Sequence, residues 1–288
     1  MHNNLLSELP ASLQDKTGWP WTEDSSSFLC KENSSNWPKI SIITPSFNQG
    51  AFLEETIRSV LLQNYPNLEY IILDGGSTDN SVEIIKKYDE FIDFWVSEPD
   101  NGQADAIYRG IEMATGDIIA YLNSDDIYYP DAFFKVAKEF IKNPDSGWLT
   151  GRTVFVDEYS NPKSDQPRYL PINMFNMVYL GNFVMQPSTF WKKKLFLSVG
   201  GFDKNLRFSF DYELFLKFLK LEKPLWINQN LAGFRYHSMS KTTNIMDVCE
   251  EESYKIRERY ISDNTIITNI VGRILGKIYS FFYAFRHR

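Results

Sequence analysis

Apolar residues in this chain come in short runs, each released into a polar, glycine-bearing segment and followed by apolar positions at helical spacing. Ile40 to Thr44 is the first run and predicts a buried strand. Pro45-Ser46-Phe47-Asn48-Gln49-Gly50 follows it, and Ile57, Val60 and Leu61 then predict a helix over about Phe52 to Gln63. A second strand, Glu69 to Leu73, ends in Asp74-Gly75-Gly76-Ser77-Thr78-Asp79, where Ser77 and Asp79 are natural caps for a helix over Val82 to Tyr88. A third, Phe94 to Ser97, runs into Glu98-Pro99-Asp100-Asn101-Gly102-Gln103-Ala104-Asp105 and a helix over Ala104 to Ala114. The fourth, Ile118 to Leu122, releases Asn123-Ser124-Asp125-Asp126. Strand and helix alternate four times, which predicts an α/β fold, a mostly parallel sheet with helices on both faces.

The remainder predicts a helix from Pro130 to about Lys142 and a strand over Gly147 to Val156. Asp157 to Pro171, polar with three prolines, predicts a mobile loop over one face. Gln186 to Trp191 reads as a short strand, Gly200 to Asp203 as a glycine turn, and Asp211-Tyr212-Glu213 as the opening of a helix. Two short strands near Leu225 to Ile227 and Leu231 to Tyr236 deliver His237. This main domain spans 39–245. Residues 1–38, broken by Pro10, Pro20 and Pro38, read as an irregular arm whose Trp19, Trp21 and Trp37 pack on it. Residues 246–288 form an amphipathic helical tail. It is charge-dense at first, then carries Ile266, Ile267, Ile270, Val271, Ile274, Ile278, Phe281, Phe282 and Phe285 beside Arg273, Lys277, Arg286 and Arg288. No uncharged apolar run reaches the roughly 20 residues needed to span a bilayer. Such a helix either lies on an anionic membrane surface or docks on the domain or on a second copy.

Composition narrows the classes. A net charge of -7 argues against a nucleic-acid partner, which needs a basic footprint. Cys30 and Cys249 are far apart and offer no disulfide framework or metal spacing, which favours a reducing, cytoplasmic setting. The first ten residues lack a basic stretch followed by an apolar core, so no signal peptide is expected. An aromatic content of 16% suits ring-shaped ligands and equally suits a packed core.

The candidate chemistry lies where the runs end. Phe47, Asp74, Asp105, Asp125 and Asp126 all follow strands, and in a parallel sheet they converge on one rim. Each alone has a structural explanation: core packing for Phe47, a turn acid for Asp74, a helix-start acid for Asp105. As a set they describe a nucleotide site, with an aromatic face for a base, an acid for base or ribose, and acids for a cation bridging phosphates. His237 is either a surface residue or a ligand, depending on where the fold brings it. Asp211 and Glu213 are two apart at a helix start and point to different sides, so one at most acts as a base.

The strings T-P-S-F-N-Q-G, L-D-G-G-S-T-D, S-E-P-D-N-G-Q-A-D-A-I, A-T-G-D-I-I-A-Y-L-N-S-D-D, Q-P-S-T-F, G-G-F-D and D-Y-E-L-F-L, in this order over residues 39 to 240, resemble the family 2 glycosyltransferases of the Rossmann-like GT-A fold. The similarity is greatest to the bacterial branch that builds surface polysaccharides. The resemblance implies inverting transfer of a sugar from a nucleotide-diphosphate donor to a glycan or polyprenyl-linked acceptor, with Mn²⁺ or Mg²⁺ on the diphosphate. It places Phe47 against the base, Asp74 at the nucleoside, Asp125 and His237 at the metal, and Asp211 at the catalytic base. Pro45, Asp105, Asn123 and Asp126 join the nucleotide-sugar set. Two departures stand out: Asn123-Ser124-Asp125 replaces the usual pair of acids around one residue, and Asp74-Gly75 replaces two consecutive acids. The donor nucleotide therefore stays open between UDP, GDP and dTDP. A nucleotidyltransferase would need a glycine-rich basic loop after the first strand, and Pro45 to Gly50 has no basic residue. A non-catalytic nucleotide-sugar-binding scaffold would explain Asn123 and Gly75, but not the retention of Asp125 and Asp211.

Overall fold

In β1, Ile40–Ser46, every residue is buried, and successive side chains go to opposite faces: Ile40 and Ile42 join one apolar core, Ile43 the other. β2, Leu68–Asp74, and β4, Ile118–Tyr121, divide in the same way. Tyr70, Ile72, Ile118 and Ala120 lie on the first side and Ile71, Leu73, Ile119 and Tyr121 on the second. Strands buried on both faces require covering layers above and below. These relations come from a computed structural model that describes residues 5–11, 16–25, 36–203, 205–238, 240, 246–261 and 266–286. Within the last segment, residues 266–267 and 280–286 are described by backbone only. Cys30, Arg288 and the side chains of Ile266, Ile267, Phe281, Phe282, Phe285 and Arg286 thus lie outside the description.

With β3, Phe94–Ser97, β5, Ile127–Tyr128, β6, Trp148–Val156, β7, Thr189–Lys192, and β8, Leu225–Arg235, the described strands form one sheet in the order β3-β2-β1-β4-β7-β6-β8-β5. β1 pairs in parallel with both β2 and β4, and β2 with β3. The chain moves outward from β1 to β3 and returns to β4 on the other side of β1, so the order reverses at the β1–β4 pair. A crevice opens at such a reversal, beyond the carboxyl ends of the strands. Register places those ends level: Ser46 pairs with Asp74, Asp74 with Ser97, and Ile43 with Tyr121. Helices α2, Leu53–Leu61, α3, Ser81–Lys87, α4, Gln103–Met113, and α5, Ala132–Lys142, connect the strands.

Two local expectations are corrected. The two short strands predicted after Pro224 are one, because β6 offers a continuous parallel ladder. The polar Asn228-Gln229-Asn230 is absorbed where the pairing shifts register beside Gly151 and Arg152. Gly151 is needed there, since an added Cβ would stand 2.5 Å from Leu231 Cδ1. Gln186 to Ser188 is a 3₁₀ turn, and only Thr189 onwards extends, antiparallel to both β4 and β6; Pro187 has no N–H to give a ladder. The proline-bearing segment after β6 turns back along that strand, where Gln166 bonds both the amide and the carbonyl of Phe155.

A short helix α1, Leu5–Glu8, leads the arm, and Trp19 and Trp37 pack on the first core. Arg58 of α2, buried, donates to the carbonyls of Pro10, Pro20 and Trp21 at 3.0–3.1 Å. A buried guanidinium is tolerable because these oxygens replace its water. At the other terminus, α9, Met246–Ile261, buries Ile256 and Ile261 against the second core. α10, Ile266–Arg286, sits on α6, Met174–Tyr179, with Gly272 and Gly276 against Tyr179, where a Cβ would stand 2.5 Å from that residue. Its far side leaves Ile270, Val271, Ile274, Leu275 and Ile278 exposed, next to the exposed Arg273 and Lys277. No described helix is long and apolar enough to cross a membrane.

Candidate functional site

The loops after β1 and β2 are built as a pair. Asn48, at positive φ, donates its amide to Ser77 Oγ at 2.8 Å and accepts from the Thr78 amide at 2.8 Å. Asp79 accepts from the amides of Gly50 and Ser81, closing the same tie and supporting the first turn of α3. Asp74 supplies the post. Its carboxylate accepts from the amides of Gly76 and Ser77 and from the hydroxyls of Ser77 and Ser97, and it is 2% exposed. With its oxygens committed to the loop, Asp74 shapes the rim from beneath.

The loops enclose a cavity of about 1020 Å³ at the β1–β4 reversal. Buried Pro45, Phe47, Asp105, Asn123 and Asp125 line it. Phe47 presents its ring at the mouth, 60% exposed. From the β3 side the wall is Asp100, which the sequence reading passed over. Its carboxylate accepts from the Gly102 amide at 2.7 Å, and Gly75 is small enough to admit it: a Cβ there would stand 3.0 Å from Asp100 Oδ2. The position where a second acid was expected after Asp74 is thus room for an acid contributed by the next loop. Gly102, at φ 103°, makes the turn into α4 that brings Gln103 and Asp105 to the wall.

Asn123 and Asp126 are linked. Asn123 Oδ1 accepts from Gln103 Nε2 at 2.6 Å, while its amide nitrogen lies 3.4 Å from Asp126 Oδ2. The neutral first position therefore donates to a buried acid. Asp126 is 1% exposed and accepts from the Arg235 amide at 2.8 Å, away from the cavity. Burial, and next the neighbouring Asp125, push its carboxyl well above the usual range, against the pull of Arg235.

Asp125 faces His237 across 112 positions of sequence, with Oδ2 3.0 Å from Nε2. The imidazole packs on Phe52, ring centroids 4.4 Å apart. Arg235, the residue two before it, holds the arrangement from below. It donates to the Asp125 carbonyl at 2.6 Å and to the Glu158 carbonyl at 3.1 Å, and it pairs with Glu55 at 3.2 Å. Arg235 stood in the sequence as one strand residue among several; only its alternation with His237 hinted at a shared side. Among the described residues no three His, Cys, Asp or Glu side chains gather as a metal group. Asp125 and His237 are the two side chains that could hold a cation here, with the rest of its ligands coming from a bound molecule. A carboxylate and an imidazole suit Mn²⁺, and Mg²⁺ is also commonly held by one or two protein groups plus phosphate oxygens. The residues present therefore fit a divalent ion that arrives with a phosphorylated ligand.

Asp211 is half-buried in the first turn of α8, Phe210–Leu221, which follows the short helix α7, Lys193–Ser198. The adjacent Phe210 packs on Tyr121, the last residue of β4, at 6.3 Å between centroids. Burial first, then Asp211 and Asp126, raise the Tyr121 hydroxyl, so the start of α8 abuts the strand that releases Asp125. Leu206 and Arg207, just upstream, line the cavity. Glu213 points elsewhere, buried and paired with Lys217 and Arg259 at 3.2 Å each, as the two-residue spacing required.

Comparison with known proteins gives a consistent result. The profile described as glycosyl transferase family 2 matches residues 41–198. The chain is 30% identical over 237 residues to the uncharacterized glycosyltransferase RT0329 of Rickettsia typhi, covering 77% of this chain and 71% of that one. It is 34% identical over 128 residues to TuaG of Bacillus subtilis, named for teichuronic acid biosynthesis, over 43% of this chain and 51% of TuaG. Among solved structures, S. aureus TarS 1-349 in complex with UDP-GlcNAc superposes with a TM-score of 0.63 at 17% identity, covering 81% of this chain and 69% of that one. The mannosyltransferase PcManGT from Pyrobaculum calidifontis, in complex with GDP-Man and Mn²⁺, gives 0.55 at 14% identity over 88% of this chain and 83% of its own.

Proposed function

The chain belongs to glycosyl transferase family 2, and on that premise we propose that it assembles a bacterial surface polysaccharide, moving a sugar with inversion from a nucleotide-diphosphate donor to a hydroxyl of a glycan or polyprenyl-linked acceptor. The observation that carries this reading is that Asp125, on the wall of a cavity whose mouth holds Phe47, meets His237 at 3.0 Å. In this reading Phe47 lies against the base, Pro45, Asp100 and Asp105 border the nucleoside, and Asn123 offers its amide oxygen edge to the sugar. Asp125 and His237 would hold Mn²⁺ or Mg²⁺, which would supply positive charge against the departing diphosphate. Asp211 takes the acceptor hydroxyl proton as that oxygen bonds the anomeric carbon. The bond to the diphosphate oxygen breaks, and its electron pair leaves with the nucleotide diphosphate. Asp74 and Asp126 act through the loops they hold. The teichuronic acid role named for TuaG supports a cell-surface polymer, while the UDP-GlcNAc bound to TarS and the GDP-Man bound to PcManGT leave the donor nucleotide open.

Purified protein incubated with Mn²⁺ and UDP, GDP and dTDP sugars should release nucleotide diphosphate from one donor class. Chelation should lower the rate about tenfold or more, with recovery on adding Mn²⁺ back. A product anomer of retained configuration overturns inversion, and absence of release from every donor overturns the donor assignment.

The tail extends the proposal to the inner face of the plasma membrane, since α10 docks by its glycine side and leaves an isoleucine ridge beside Arg273 and Lys277 with no acid in its length. Flotation with anionic phosphatidylglycerol vesicles should fall at least about threefold in an Ile274→Asp, Ile278→Asp double variant. Equal flotation of parent and variant removes the contact.

A further inference from the structure

The charge-dense helix α9 reaches the segment that leads into α8. Glu252 accepts from three consecutive backbone amides: Arg207 at 2.7 Å, Phe208 at 2.9 Å and Ser209 at 2.8 Å. Ser209 precedes the first residue of α8, and its side chain makes no cap to that helix. It is turned instead to α9, where its hydroxyl lies 3.0 Å from Ser253 Oγ and donates to the Cys249 carbonyl at 3.3 Å. Ile256, fully buried, and Arg259, bonded to Glu213 at 3.2 Å, complete the contact. Residues 249, 252, 253, 256 and 259 recur at three- and four-residue steps, so one face of α9 does all of this. Exposed amides before a helix carry partial positive charge, and a carboxylate placed there is stabilised.

We propose that Glu252 is a positioning residue for the transfer reaction: it fixes the Arg207–Ser209 segment so that Arg207 faces the donor cavity and Asp211, two residues on, is held in the first turn of α8. The inference rests on the role given to Asp211 above. It also makes the tail a working part of the site, because the carboxylate comes from a helix assigned on sequence to an appendage.

Glu252→Gln tests it. The amide keeps the size of the side chain but loses the charge and one of the two accepting oxygens. Hydrogen exchange of the peptide containing residues 207–209 should accelerate about tenfold, with β1 and β4 unchanged. With the sugar nucleotide that the parent turns over, KM should rise about threefold or more and kcat fall about tenfold. A general loss of folded protein lowers apparent kcat and leaves KM where it was, so KM is the deciding readout. Glu252→Asp, which keeps the charge one methylene shorter, should recover part of both and stands in where the amide variant melts too low to assay. Glu251→Gln, an exposed neighbour paired with Lys255, should match the parent. Unchanged exchange at 207–209, or accelerated exchange with KM within about twofold of the parent whatever kcat does, overturns the proposal. Exchange is read without turnover, so an Asp211→Asn variant that stays active would remove the base assignment while leaving the tether measurable.

Discussion

Asp211→Asn is expected to lower turnover about a thousandfold, in the range by which general-base catalysis contributes to rate. The substitution is isosteric, and the remaining Oδ1 still accepts from the Tyr212 amide, a 2.6 Å contact in the parent. The first turn of α8 therefore keeps its bonds, and the thermal midpoint should stay within a few degrees of the parent. What is lost is the capacity to take a proton from the acceptor hydroxyl. Glu213 does not substitute, because it is buried and already paired with Lys217 and Arg259. KM for the donor should be nearly unchanged, as Asp211 is not part of the cavity wall. Turnover within about tenfold of the parent, measured by nucleotide diphosphate release with acceptor present, would exclude Asp211 as the base.

Arg235→Ala should be the most damaging substitution for stability. The side chain is fully buried and joins three segments: Glu55 on α2, the Asp125 carbonyl after β4, and the Glu158 carbonyl and Ser160 hydroxyl after β6. Its guanidinium also lies 5.1 Å from the Phe52 ring that supports His237. Removing it leaves the Glu55 carboxylate, 6% exposed, without its cation. Breaking one side of a buried pair costs about 3–5 kcal/mol, because the surviving charge stays desolvated. For a chain of this size that lowers the thermal midpoint by about 10 °C. A second change, Glu55→Gln, should return part of the loss, since it removes the stranded charge. A midpoint lowered by less than about 2 °C in Arg235→Ala would show that the pair is not coupled to the fold. Donor turnover should fall in both variants, because Asp125 loses the guanidinium beneath its carbonyl.

Much of this architecture is readable along the chain. The runs at Ile40, Glu69 and Ile118 place apolar residues on both faces over five positions each, too short for a helix and suited to a strand covered on both sides. The helices between them follow from spacing alone. The break at Asn228 to Asn230 was misread because polarity resembles a turn, whereas β6 turns it into a bulge. In the site, Phe47 and Asp125 were legible since each is the residue a strand releases at the rim. Asp100 was not, because three acids crowd that loop and nothing in their order says which turns inward.

By itself the sequence determined the alternation of strand and helix, the family, and the short segments from which the site is drawn. Those properties depend on periods of two and 3.6 residues and on runs of adjacent residues. Only the tertiary structure decided what each acid does: Asp74 is spent on a loop, Asp126 lies buried against the Arg235 amide, Asp125 meets His237, and Glu252 on the tail holds the entry to α8. A carboxylate's role is set by the donors around it, and here the partners of Asp125, Asp126 and Glu252 include His237, the Arg235 amide and the 207–209 amides, from segments 40 to more than 100 residues away, a distance over which sequence spacing carries no geometry.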